Sequence, residues 1–327
     1  MSPHRLLAVA VLSTAILLGG CGYEDTPVPE TAAEAEYTPG EVTDCDTDPE
    51  TLLSEPADST VEPGSTVDRI RREGVLKVGV SADTNLMAAR NPQTNRIQGF
   101  DIEVVKAIGE AIFGADFNIN TDAQLRVITA GDRIPLLGGP DAEGEIQPAQ
   151  LDLVVRNFTI NSCRKEQIAF SAVYYNATQK VLVRAEDEDS YGGPESLAGK
   201  RVCAPNGSTS LLNIERRQPD AQIVPSDTHT GCLIKFQRDE VDAITGDDTV
   251  LAGLAAQDPY AVVPEQTPLN PEPYGVGIPL GDADFVAFVN YALEQMVDDN
   301  EWQRAYNQWL APELGAGSPP SAIDPSL

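Results

Sequence analysis

Basic residues are scarce in this chain. It holds 22 Lys and Arg against 51 Asp and Glu, a net charge of −29 over 327 residues. Without residues 1–20, whose one strong charge is Arg5, the balance is −30. Nucleic acid is therefore excluded as a natural partner, because a phosphate backbone demands Lys and Arg. Histidine is scarcer still: of two, His229 alone lies beyond residue 20. The five cysteines show no CxxC spacing, so a Cys/His zinc site is not expected, and neither is any cofactor. No GxSxG elbow is present, and a triad hydrolase would have to rest on His229. The apolar run from Leu6 to Leu18 falls short of the ~20 residues that span a bilayer. What remains is an acidic globular chain, 41% hydrophobic and long enough for two domains, with no internal repeat.

The start reads as a secretory signal: His4-Arg5, the short apolar run, then small residues. Its end, Leu18-Gly19-Gly20-Cys21, resembles the bacterial lipobox, which predicts cleavage after residue 20 and a lipid on Cys21. Such a lipid would anchor the chain at the extracytoplasmic face of the bacterial cell membrane. Residues 21–66 read as a tether, since 22–66 carry thirteen Asp or Glu, six Pro and no Lys or Arg. Cys45 inside it hints that part is pinned to the folded body. Outside the cytoplasm Cys45, Cys163, Cys203 and Cys232 read as two disulfides, with three pairings open. Residues 316–327 read as a loose tail.

Between these ends, strands alternate with helices. Val75–Val80 and Leu151–Val155 are apolar runs of strand length, and Tyr174–Val183 is extended. Gly99-Phe100-Asp101 leads into a helix, with Asp101 expected as its N-cap. Val104, Val105, Ile108, Ala111 and Ile112 keep helical spacing. Further helices are expected near Ser210–Arg217 and Gly231–Arg238, a strand at Asp242–Thr245, and two C-terminal helices carrying Phe285 to Met296 and Trp302 to Trp309. The pattern is α/β with largely parallel sheets.

Several of these segments together resemble the extracellular solute-binding proteins of polar amino-acid ABC transporters (family 3), in family order. They are Leu76-Lys77-Val78-Gly79-Val80-Ser81-Ala82-Asp83, Gly99-Phe100-Asp101 with its helix, and Asp152 through Arg164 with Phe170-Ser171 and Tyr174-Tyr175. Leu197-Ala198-Gly199-Lys200-Arg201-Val202 through Ser210, Val241 through Asp247, Pro273-Tyr274-Gly275 and the Trp302–Trp309 tail follow. The resemblance covers residues 67 to about 312 and is similar in detail to actinobacterial glutamate/glutamine-binding lipoproteins.

It implies a two-lobed periplasmic-binding-protein fold (type II) with two crossovers. Lobe one would hold 67–177 and 271–315, lobe two 178–270, and a ligand cleft would lie between them. It also implies the site. Arg164 matches the arginine that grips an α-carboxylate, for which a planar fork is suited. Asp247 matches the acid that holds the α-ammonium. Asn157 and Thr159 stand where the family uses a backbone carbonyl and a Thr hydroxyl; the family usually has a small residue at the first, so Asn157 departs from it. Ser208 and Thr209 open a helix whose N-terminus suits a carboxylate. Asp83 belongs to the first ligand loop. That loop, Thr84 to Arg90, has no aromatic, and Arg90 is a candidate clamp for a side-chain carboxylate, with Arg133 a weaker one.

The implied function is capture of glutamate, aspartate or their amides by a monomer that hands its ligand to an ABC importer. A sensor reporting to a membrane signalling partner is the alternative. An enzyme is the rival class, because a few dehydratases share this fold. The branch resembled often has cysteines at the places of Cys203 and Cys232, which implies that pair and, with it, Cys45–Cys163.

Overall fold

A computed structural model describes residues 45–48 and 50–321. The signal, Cys21, the tether through residue 44 and the tail from 322 lie outside the described residues.

Two sheets form the centres of two lobes. In the first, Leu76–Val80 lies between Ala123–Val127 and Leu153–Val154, both parallel to it. Gly277–Ile278 and Ala169–Phe170 complete it antiparallel. Leu76–Val80 is buried at four of its five positions, as its apolar run requires. Gly79 has no room for a side chain: a Cβ there would meet Ile128, Leu151 and Val154 side chains at 2.7–2.9 Å. The second sheet runs Gln222–Ile223, Arg201–Cys203, Ala243–Asp247, Tyr175–Arg184, Ala261–Val262.

Two strands carry the chain between the lobes. Tyr175–Arg184 leaves lobe one, and Asn270–Tyr274 returns antiparallel to it, with Tyr274 opposite Tyr175 and Asn270 opposite Gln179. Aromatic residues pack at the lobe-one end of this hinge. Phe100, Tyr175, Trp302 and Tyr306 stack or meet edge-on, Tyr174 lies tilted against Phe100, and the Trp302 indole donates to the Tyr174 carbonyl at 2.7 Å. Such rings add large buried apolar area and a polar tip that finds a partner. Lobe two has its own core around Leu182, Phe236, Ile244 and Leu251, into which the Cys203–Cys232 disulfide is built.

Two sequence expectations are corrected. The helix Phe100–Phe113 is capped by Gly99, not Asp101. Gly99 sits at φ 138°, and a Cβ there would strike the Met87 carbonyl at 2.3 Å, so glycine is required. Asp101 lies inside the first turn and is fully buried. Its carboxylate accepts from the Asn157 backbone N–H (2.9 Å) and the Tyr174 hydroxyl (2.8 Å). Burial holds its pKa up near 6. The strand expected at Asp242–Thr245 runs Ala243–Asp247 and leads directly into the helix Asp248–Ala255.

The described part of the tether lies against lobe one. Cys45 is joined to Cys163, and Asp46 and Ser162 exchange hydrogen bonds. The Lys165 ammonium donates to the carbonyls of Thr51 and Leu53. The Asn290 amide donates to Ser54 and Glu55, and the Asp58 N–H to Ala287. These partners come from the folded body, so the acidic composition of the segment alone could not reveal them.

Candidate functional site

The site is built where strand ends and short turns of both lobes converge. After the buried strand Leu153–Val154 the backbone turns sharply at Asn157, a non-glycine residue at φ 34°. Asp101 holds that turn through the Asn157 N–H. Asn161 caps the four-residue helix Ser162–Lys165 by accepting from the Arg164 N–H at 2.9 Å, which aims Arg164 inward. From lobe two, Ser208 caps the helix Thr209–Arg217 and Thr228 caps His229–Gln237. A small cavity between the lobes is lined by Arg133, Arg156, Asn157 and Thr159 on one side. Ser208, Thr209, Ser210, His229 and Asp247 line the other.

Contacts cross the cleft. The Nη2 atoms of Arg133 and Arg164 both donate to the Gly207 carbonyl, at 3.1 and 3.3 Å. The Thr159 and Thr209 hydroxyls lie 3.3 Å apart. Thr230 donates to the Asp83 carbonyl, and the Asn85 amide to that of Gly253.

The charges are unevenly placed. Arg133, Arg156 and Arg164 are 3%, 4% and 7% exposed, and none has a carboxylate within 4.0 Å among the described residues. Backbone carbonyls and the Phe158 ring take their place. Arg133 and Arg164 lie 4.3 and 5.0 Å from that ring's centre. Burial lowers the pKa of all three; Arg164 falls to about 10, and Arg133 is depressed further by its two neighbours. Asp247 accepts from the Tyr274 hydroxyl at 2.7 Å, and burial raises its pKa to about 6. Glu272, on the return strand, accepts from Thr159 and Thr209 at 2.6 Å each and from Asn213 at 3.0 Å. Burial, with Asp247 nearby, raises it to about 8. Burial also holds His229 neutral, down near 3.

Of the residues expected from the sequence, Arg164, Asp247, Thr159, Asn157, Ser208 and Thr209 come together here. Ser208 is occupied in capping, accepting from Leu211 and donating to Pro205. Asp83 is half-buried beside the cleft, accepting from Ser81. Arg90 stands apart: it is exposed and its guanidinium is bonded to Asn95 of its own hairpin. Arg133 is in the cleft. Arg156, Glu272 and a cleft-facing His229 were missed. A charged residue directly after the apolar run Leu151–Val155 was the one available signal for Arg156.

Two α/β lobes, two connecting strands and a charged cleft between them define a type II periplasmic binding protein. The chain belongs to the bacterial extracellular solute-binding proteins, family 3, whose pattern matches residues 76–312. It is 29% identical over 246 residues to the ABC transporter glutamine-binding protein GlnH of Bacillus subtilis (strain 168), covering 75% of this chain and 84% of that one. It is 29% identical over 251 residues to the glutamate-binding protein GluB of Corynebacterium efficiens, covering 75% and 80%. Among solved structures, the ancestral amino acid-binding protein AncCDT-1, a precursor of cyclohexadienyl dehydratase, matches with a TM-score of 0.64 at 27% identity, over 75% of this chain and 99% of that one. Among the described residues no helix is long and apolar enough to cross a membrane, and no side-chain cluster could hold a metal.

Proposed function

We propose that the cleft captures an acidic amino acid, or its amide, and delivers it to an ABC importer by opening and closing of the lobes. The supporting observation is three buried arginines without an ion-pair partner among the described residues: Arg133 and Arg156 line the cavity, and Arg164 reaches across the cleft to the Gly207 carbonyl. An unpaired buried charge costs several kcal/mol, so such a site favours an anion. Asp247 is the opposite pole, suited to the ligand ammonium. Separation of the lobes would break the Arg133 and Arg164 bonds to Gly207; Arg133 stays held by lobe-one carbonyls, and Arg164 is left with a donor for the α-carboxylate. The named specificities of the GlnH and GluB relatives agree with this reading. The lipobox-like Leu18-Gly19-Gly20-Cys21 supports anchoring through a lipid on Cys21.

The test is a thermal shift of the purified chain against an amino-acid panel. A ligand at ~100 times its Kd stabilises the folded form by about 2.7 kcal/mol. Glutamate, aspartate or their amides are expected to raise Tm most. No response to any amino acid would overturn the proposal.

A further inference from the structure

The three buried guanidiniums do not have the same freedom. Arg133 is the most engaged: Nε donates to Ala130, Nη1 to Arg156 and Asn157, and Nη2 to Gly207, all backbone carbonyls. Arg164 spans from the Thr159 carbonyl on its own lobe to Gly207 on the other. Arg156 differs from both. Its Nε is anchored to the Ile128 carbonyl at 2.9 Å, and its Nη1 and Nη2 make no hydrogen bond among the described residues. A guanidinium fixed at Nε presents the remaining pair of donors in the plane that matches a carboxylate.

The nearby carboxylates cannot supply that match. Asp83, Asp101 and Asp132 all act on Arg156 electrostatically, yet none lies within ion-pair distance. Each is engaged by other donors: Asp83 by Ser81, Asp101 by Asn157 and Tyr174, Asp132 by the N–H and hydroxyl of Thr129. Two further polar atoms at the same cavity are buried without a partner among the described residues, Asn157 Oδ1 and His229 Nε2. Both of these atoms accept, so the unengaged guanidinium donors at the cavity are those of Arg156. The neutral His229 adds no competing positive charge.

We propose that Arg156 is the specificity-determining residue of the cleft, gripping the side-chain carboxylate of the bound amino acid through Nη1 and Nη2. This rests on the amino-acid reading of the cleft and adds to it the residue that separates acids from amides. Neither Arg90, which is outside the cleft, nor Arg133, whose Nε and Nη1 are held by carbonyls of its own lobe, fills that role.

The experiment measures Kd by calorimetry on the full chain with glutamate, aspartate, glutamine and asparagine, for wild type, Arg156→Gln and Arg156→Lys. Wild type is expected to bind the acids more tightly. Arg156→Gln should weaken the acids by about 30-fold or more, as loss of one partner from a buried charge pair does. It should change the amides by about threefold at most, since a neutral carboxamide does not need the charge. Arg156→Lys keeps the charge without the fork and should restore part of the acid preference; it also serves should the Gln variant fail to fold. Equal losses for acids and amides, or an intact acid preference in both variants, would overturn the role of Arg156 alone. Failure of wild type to bind all four ligands would instead overturn the amino-acid reading on which it rests.

Discussion

The two walls of the cleft differ in kind. Lobe one contributes cations held in place by backbone carbonyls: Arg133, Arg156 and Arg164. Lobe two contributes a carboxylate, hydroxyls at a helix start and a neutral imidazole: Asp247, Ser208, Thr209 and His229. A zwitterion has one pole for each wall. On the proposed reading the division ties binding to closure, because neither lobe alone offers both partners. Glu272 belongs to neither wall. It sits on the return strand, where hydroxyls from both lobes donate to it.

The largest effect should come from the cationic wall. Arg164→Ala is expected to weaken every amino-acid ligand by about 2–5 kcal/mol, because the α-carboxylate is common to all of them. Calorimetry across the panel checks this. Loss confined to acidic ligands would reassign Arg164 to side-chain recognition and break the division of labour between the walls.

A second effect, on stability instead of affinity, is expected from Glu272 and depends on pH. Its pKa is raised by burial from the ordinary 4.5 to about 8. In that window the folded protein holds a proton that the unfolded chain has lost, so stability falls as pH rises, by up to about 1.4 kcal/mol per pH unit. Glu272→Gln should flatten the decline of the unliganded protein between pH 5 and pH 8 (a window on the order of three units), as followed by denaturant unfolding. An unchanged slope would show that Glu272 titrates near its ordinary value.

The smallest expected effect is at Arg90. Exposed and bonded within its own hairpin, it should tolerate Arg90→Ala with acid and amide affinities unchanged. A selective loss of glutamate binding would return to Arg90 the role proposed for Arg156.

These contrasts mark where sequence alone informs and where it stops. Leu76–Val80 and the helix Phe100–Phe113 were legible because burial imposes a period on their apolar residues. The placement of Arg164 and Asp247 at the cleft was legible because each stands in a motif of fixed register. Asp101 was misread as a cap. The partners that bury it, Asn157 and Tyr174, lie 56 and 73 residues away, and a local rule cannot see them. Glu272 was missed for the same reason: Thr159, Thr209 and Asn213 reach it from 113, 63 and 59 residues away. Cys45 hinted that part of the acidic stretch is pinned, but Lys165 and Asn290, which also hold it, are far from it in sequence and gave no signal. Arg90 and Arg156 are both arginines near ligand loops. What separates them is which way the chain turns afterwards.

The measurement that bears most directly on the central claim is a calorimetric comparison of glutamate with arginine on the wild-type chain. Three buried guanidiniums should accept an added carboxylate and reject a fourth cation. The account predicts saturable binding of glutamate and, for arginine, affinity weaker by at least about 100-fold, a factor worth about 2.7 kcal/mol. Arginine binding as tightly as glutamate, or more so, would contradict it.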